Sequence, residues 1–290
     1  MAIYLGLLLF SFVITGILIV PYIGLLFREK NKRFGGVFIV AVVTSLFVVL
    51  FPILKYLGVY VTSYFDLNQE IQIIFLTFVG FGLLGFADDL KKIGRLQKWT
   101  IGAFLAAIIA LLLKVNLNIS AINIPLLGVW NMGWGYALLP FVLIGVFIKG
   151  FNTVDRSDGL AVGVLLVELL AFWVLSVSGF DTPLSFFLAI WIGALVAFLY
   201  FNVYPARIWL GNTGSFAFGA TFAVVGLLLG KPSAVLTMGL IFIFELFACA
   251  LDLSILERLK KWGWSVPKIM MRGWLSAVVL AIFGIWLSLL

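Results

Sequence analysis

Ala2-Ile-Tyr-Leu-Gly-Leu-Leu-Leu-Phe-Ser-Phe-Val-Ile-Thr-Gly-Ile-Leu-Ile-Val-Pro-Tyr-Ile-Gly-Leu-Leu-Phe27 runs without a single charge. A helix needs about 20 mainly apolar residues to cross a bilayer. This stretch exceeds that, and it is too long for a signal-peptide core. It also lacks a basic start and a small-residue cleavage site, so it is expected to be a retained membrane helix. Nine further apolar segments follow, roughly at 35–54, 71–87, 99–114, 136–151, 159–179, 185–202, 215–230, 234–253 and 273–290. Lipid offers no partner to an open strand edge, so each is expected to be helical. The fold class that follows is an all-α polytopic membrane protein with about ten transmembrane helices.

The composition agrees. Of 290 residues, 64% are hydrophobic and 11% charged, against about 45–50% and about 25% in soluble domains. No water-soluble fold hides that much apolar surface. There is no His, which excludes His-ligated metals and His-based acid/base chemistry. The single cysteine, Cys249, excludes a disulfide framework and a thiolate metal site.

All of the 19 basic residues except Lys55, Lys114 and Lys231 fall in one alternating set of loops or helix ends. Basic loops stay in the cytoplasm, which puts both termini outside the cell and the basic ends inside. The net charge of +7 is thus a topology signal and a surface for anionic lipid headgroups, not a nucleic-acid footprint. Val115 to Gly135 is too long for a tight turn. It reads as a short hairpin or surface helix on the outer face, with Trp130 and Trp134 suited to the interface. No repeat or separate soluble domain interrupts the chain, so 1–290 reads as one integral membrane domain.

The acids show where chemistry concentrates. Asp66, Glu70 and Asp181 fall on the outer side, and Glu29 and Glu257 in basic loops. Glu168, Glu245 and Asp252 lie in or near apolar runs. The others collect at the basic ends. Asp88 and Asp89 close the third segment; they repel each other and read either as a cation-binding pair or as a solvated helix end balanced by Lys91 and Lys92. Asn152, Asp155 and Asp158 recur every third residue, which on a helix places them near one face, although Asp158-Gly159 equally suits a cap. Gly211-Asn212-Thr213-Gly214-Ser215 opens the eighth segment. Such a start offers backbone N–H groups and partial positive charge to an anion, or is an ordinary cap with glycines for close packing. All three sites fall on one face. Together they have the parts of a Mg²⁺–diphosphate site.

These motifs resemble the polyprenyl-phosphate N-acetylhexosamine-1-phosphate transferases. Phe86-Ala-Asp88-Asp89 looks like the family's Asp-Asp motif. Asn152 to Ala161 matches N-x-x-D-G-L-D-G-L-A without a gap, with Arg156-Ser157 in place of Gly-Leu. Phe201 to Ser215 matches F-N-x-x-P-A-x-x-F-M-G-D-T-G-S. Gly263 to Trp274 looks like G-W-S-E-P-K-I-V-V-R-F-W, which favours the peptidoglycan branch over the teichoic-acid and O-antigen branches. Arg33-Phe-Gly-Gly36 resembles an early Gly-Gly motif and Arg95 to Lys98 the basic start of the fourth helix.

The resemblance implies an enzyme of the bacterial plasma membrane with its active site at the cytoplasmic face. The reaction implied moves a phospho-N-acetylmuramoyl-pentapeptide, or a related phospho-N-acetylhexosamine, from a UDP-sugar to undecaprenyl phosphate and releases UMP. It implies Mg²⁺ on Asp155, with Asp88 and Asn212 supporting, and catalytic roles for Asp88, Asp89 and Asp155; Asp89 is expected to deprotonate or orient the lipid phosphate. Asn152, Asp158 and Asn202 are expected to position the donor, Lys98 to hold phosphate, and Arg258, Lys260 and Lys261 to meet the donor. A homodimer is implied by resemblance alone. Two departures stand out: Asn212 replaces the family's metal-binding Asp, and Leu256 to Lys260 replaces its H-H-H-F-E cluster in a shorter loop. They keep two alternatives in view, a transferase for another UDP-N-acetylhexosamine and a catalytically inactive family member. A transporter would place polar residues at the midplane, whereas here they gather at one face.

Overall fold

The computed structural model describes residues 2–28, 33–56, 69–116, 121–124, 128–176 and 183–289. Glu29, Lys30, Lys32, Asp66 and Asp181 lie outside the described residues, as does the sixth expected segment beyond Ser176. The helices in chain order are α1 (Ala2–Arg28), α2 (Gly35–Tyr56), α3 (Gln69–Lys91), α4 (Arg95–Asn116), α5 (Leu138–Val154) and α6 (Leu160–Ser176). They continue with α7 (Pro183–Asn202), α8 (Gly211–Leu228), α9 (Pro232–Met238), α10 (Leu240–Ala250), α11 (Ile255–Lys261) and α12 (Val266–Leu289). Between α4 and α5 lies an antiparallel hairpin, β1 (Ala121–Ile124) and β2 (Gly128–Asn131), pairing Ala121 with Asn131 and Ile124 with Gly128. The hairpin alternative for that segment is therefore the one the chain adopts.

Each of the ten apolar segments falls on a helix. Among the described residues, eight helices are long and apolar enough to cross a membrane, and α9 with α10 forms a ninth candidate bent by 59°. The shorter α6 is apolar throughout. The bend falls at Gly239, where a Cβ would run into the ring of Phe147. Several boundaries differ from the sequence reading, and those that bear on the site are these. α3 runs on to Lys91 and carries Asp88 and Asp89 in its last turn, ended by Lys92 at φ 47°. α5 takes in Asn152, and Asp155 is its C-cap. α8 starts at Gly211, and α12 at Val266 with Pro267 in its first turn, where a missing N–H costs nothing.

α8 is the central helix, packed against α2, α3 and α5, and it is buried from Thr213 to Leu227. Its composition explains this position. Gly, Ala, Ser and Thr let neighbouring backbones approach, which is how helices associate where lipid is as apolar as the side chains. Gly85 of α3 lies so near Asn212 and Thr213 that a Cβ there would overlap their backbone. Beyond the glycines, Phe78, Phe218 and Trp191 pack edge-on or stacked, and Phe147 and Phe222 do the same one layer away. The rigid consequence is that the end of α3, the end of α5 and the start of α8 are locked together at one end of the bundle.

Candidate active site at the helix ends

The α8 N-terminus shows how these ends are joined. Leu210, the residue before Gly211, provides no side-chain cap. Asp89 supplies one from α3. Its Oδ1 accepts from the Asn212 N–H at 3.0 Å, and its Oδ2 from the Thr213 N–H at 2.9 Å and the Thr213 hydroxyl at 2.7 Å. The anion that this helix start attracts is therefore Asp89 itself. Both Asp89 oxygens are thus engaged at the helix start that the sequence offers to a substrate phosphate. Gly211, at φ 72° and pressed against the Arg33 carbonyl, admits only glycine comfortably.

Asp88, one residue earlier, points elsewhere. It is 4% exposed, and its Oδ2 accepts from Lys98 Nζ at 2.6 Å and from Asn212 Nδ2 at 2.7 Å. The Asn212 Oδ1 in turn accepts from Asn152 Nδ2 at 2.7 Å, and Asn152 Nδ2 also reaches Ser215 Oγ at 3.2 Å. The expected convergence of Asp88, Asn152, Lys98 and Asn212 is thus found, as one hydrogen-bonded chain across α3, α4, α5 and α8.

Asp155 is different. Its side chain is partly accessible and takes no hydrogen bond or ion pair among the described residues. Burial, with the charges of Asp158 and Asp89 close by, pushes its carboxyl well above the usual carboxylate range. Asp158 Oδ2 accepts from the Ala206 N–H at 3.2 Å, and Asn202 Nδ2 donates to the Ile208 carbonyl at 2.9 Å. Both pin the loop between α7 and α8. These loop contacts are where the structure places the two residues that the resemblance assigns to positioning the donor.

Arg258, Lys260 and Lys261 stand exposed on α11. Among the described residues none of them bonds to these acids or lines the cavity beside them. Glu245 holds α11 in place, accepting from Ser254 Oγ at 2.6 Å and the Ile255 N–H at 3.0 Å. Glu168 is fully buried in α6, and among the described residues neither of its oxygens finds a hydrogen-bond partner.

That cavity, about 700 Å³, runs between α3, α4 and α5. Its walls are apolar: Phe81, Leu84, Ala106, Phe141, Ile144 and Val146 among others. One end is polar, formed by Arg95, Lys98, Lys149, Asn152 and Asn212. Lys98 is paired with Asp88, whereas Arg95 and Lys149 have no acidic partner among the described residues. Arg95, Trp99 and Lys149 were not singled out from sequence as site residues. The signal was present for Lys149: a cation within an apolar helix, three residues before Asn152 and so on nearly the same face. An apolar trough with cations at one end suits an amphiphile with an anionic head.

The expected Mg²⁺ ligands divide on this geometry. Among the described residues no three carboxylates or thiols converge as a metal centre. Asp88 Oδ2 and both ends of the Asn212 carboxamide are already committed to each other, to Lys98 and to Asn152. Among the described residues Asp155 is the carboxylate of this group with neither oxygen hydrogen-bonded. Mg²⁺ commonly binds one or two carboxylates and completes its shell with water and substrate phosphates, so the fit is at Asp155 and not at the Asp88–Asn212 pair.

Comparison with known proteins agrees with this architecture. The model of a family described as glycosyl transferase family 4 matches residues 71–230, a stretch that carries Asp88, Asp89, Lys98, Asn152, Asp155 and Asn212. A phospho-N-acetylmuramoyl-pentapeptide-transferase of Clostridium novyi is 28% identical over 253 residues, covering 82% of this chain and 77% of the relative. The protein of that name from Acetivibrio thermocellus is 30% identical over 243 residues, covering 75% and 73%. The one from Staphylococcus aureus is 27% identical over 248 residues, covering 76% and 77%. With its apolar helices and these bacterial relatives, the protein is a multi-pass protein of the bacterial plasma membrane, and the chain belongs to glycosyl transferase family 4.

Proposed function

We propose that this protein transfers a phospho-N-acetylmuramoyl-pentapeptide, or a closely related phospho-N-acetylhexosamine, from a UDP-sugar to undecaprenyl phosphate in peptidoglycan synthesis. The observation that carries this reading is the cavity: an apolar trough ends at Arg95, Lys98 and Lys149, directly beside the Asp88–Asn212–Asn152 chain. A polyprenyl chain suits the trough and its phosphate the cations. The names of the relatives support the same reaction.

In this reading an oxygen of the lipid phosphate attacks the β-phosphorus of the UDP-sugar. A new P–O bond forms, the bond to UMP breaks, and UMP leaves with the bridging oxygen. The lipid phosphate is already largely ionised near neutral pH, so positioning and charge compensation dominate over proton transfer. Arg95 and Lys149 offset the charge of the lipid phosphate, and Asp88 orients Lys98 towards the same point. Asp89 holds the α8 start against α3, so that Asn212 and Ser215 keep Asn152 in register. Mg²⁺, where bound, would supply charge neutralisation for the donor diphosphate, and Asp155 is the residue that would hold it. The excess of basic residues at this end supports a cytoplasmic site, the side from which a soluble UDP-sugar would reach it.

The test is UMP release by the purified protein in detergent with undecaprenyl phosphate, Mg²⁺ and UDP-N-acetylmuramoyl-pentapeptide. Release that needs both substrates, with Lys149→Gln raising the KM for the lipid phosphate, supports the proposal. A second reading, binding without turnover, is favoured by one observation: Asn212 occupies Asp88 where a carboxylate would leave it open to a cation. Folded protein that retains undecaprenyl phosphate yet releases no UMP from any UDP-N-acetylhexosamine would overturn the transferase reading in favour of that one.

A further inference from the structure

Asn212 links two side chains that have opposite needs. Asp88 Oδ2 accepts only, so the group facing it at 2.7 Å must be the donor end of the carboxamide. The acceptor end then faces Asn152, whose Nδ2 donates to it at 2.7 Å. The orientation of both amides is fixed by the carboxylate. With Lys98 on the same Asp88 oxygen at 2.6 Å, the corner has one anion, one cation and a neutral bridge. Asp88 Oδ2 and both ends of the Asn212 carboxamide are satisfied within the chain. A carboxylate at position 212 has no donor to offer Asp88. It would set two anionic oxygens in contact with only Lys98 between them, an arrangement that calls for a further cation or a proton.

We propose that Asn212 is a positioning residue whose carboxamide takes the structural place of a cation, clasping Asp88 to Asn152 so that the free protein keeps this corner ordered without a resident divalent ion. The clasp stands on its own hydrogen bonds; only its service to a reaction rests on the transferase reading. It spans α3, α5 and α8 and sets where Asn152 and Lys98 meet the polar end of the cavity. A hydrogen bond between a charged and a neutral group is short and strong, and the 2.7 Å separation from Asp88 fits that class.

The experiment measures thermal unfolding and Mn²⁺ binding of the purified, detergent-solubilised protein without donor or lipid phosphate, in EDTA and in Mg²⁺. The unmodified protein is expected to unfold at the same temperature in both. Asn212→Asp is expected to unfold at a lower temperature in EDTA, to recover in Mg²⁺, and to bind Mn²⁺ about tenfold tighter or more, since a carboxylate has joined the shell. The exchange Asp88→Asn with Asn212→Asp restores a donor facing an acceptor, and its unfolding is expected to lose the Mg²⁺ dependence again. A merely space-filling Asn212 would show neither the Mg²⁺ dependence nor the rescue. The proposal is overturned if the unmodified protein binds Mn²⁺ as tightly as Asn212→Asp. It is overturned equally if Mg²⁺ stabilises the unmodified protein, a result that stands even where the single variant fails to fold. Turnover plays no part in these readouts, so a failed transfer assay leaves this inference intact.

Discussion

Asp89 of α3 caps α8 through Thr213, its Oδ2 accepting both the backbone N–H at 2.9 Å and the hydroxyl at 2.7 Å. A carboxylate at a helix start satisfies orphan N–H groups and offsets the helix dipole. Asp89→Ala is expected to lower stability by about 1–2 kcal/mol, the usual range for a lost cap. Asp89→Asn keeps one acceptor and should lose less. Thermal unfolding of both variants in detergent checks this; equal stability of Asp89→Ala and the unmodified protein would contradict it.

The neighbouring pair shows what sequence could and could not convey. Asp88 and Asp89 are adjacent carboxylates, and their spacing from Lys91 and Lys92 says nothing of which partner each finds. Only the approach of α8 decides that Asp88 meets Asn212 and Asp89 meets Thr213. Long apolar runs such as Ala2–Phe27 made the helices legible, because lipid leaves a spanning chain no other regular choice. The gathering of Asp88, Asn152 and Asn212 was legible as well, since all lie at basic helix ends. The hydrogen bonds of Asn202 and Asp158 to the loop between α7 and α8 are not legible in sequence, because loop anchors and substrate-binding groups use the same residue types. Arg258, Lys260 and Lys261 stood near the right motif but on a surface helix, a separation visible only in three dimensions. In sequence Lys149 is a topology signal alone, and Arg95 is that and part of the basic start of the fourth helix.

Gly85 sets the distance between α3 and α8. A methyl group there would overlap the backbone of Asn212 and Thr213, which cannot move aside as a side chain can. Gly85→Ala should cost about 1–3 kcal/mol, the range for overpacking, and should loosen Asp88 from Asn212. The same unfolding assay checks the cost. A fully stable Gly85→Ala protein would mean that α3 and α8 sit further apart.

Asp155 makes stability depend on pH. Its carboxyl is raised in the folded protein by burial, Asp158 and Asp89. An unfolded Asp releases its proton near about pH 4, whereas folded Asp155 keeps it to higher pH. Stability from this group is therefore full below about pH 4 and is lost as pH rises through the folded value. Asp155→Asn should flatten the profile of unfolding temperature against pH, measured in EDTA from acid to neutral. Parallel profiles for the two proteins would count against an unpaired Asp155.

Glu168 lies fully buried in α6, with both oxygens unpartnered among the described residues. Removing a buried polar group that lacks a hydrogen bond relieves roughly 1–3 kcal/mol. Glu168→Leu is expected to raise the unfolding temperature with transfer activity retained, because the residue lies away from the helix ends that form the site. A drop in unfolding temperature would show that Glu168 has a partner, such as a buried water.

The central claim is that this membrane protein joins a phospho-sugar to a lipid phosphate. Its most direct test is mass-spectrometric analysis of the lipid fraction after incubating the purified protein with undecaprenyl phosphate, UDP-N-acetylmuramoyl-pentapeptide and Mg²⁺, with UMP quantified in parallel. The account predicts a lipid-linked diphosphate sugar in one-to-one ratio with UMP, lost in a folded Asp155→Ala variant. UMP without the lipid product, or no product from folded protein across the UDP-N-acetylhexosamines, would contradict it.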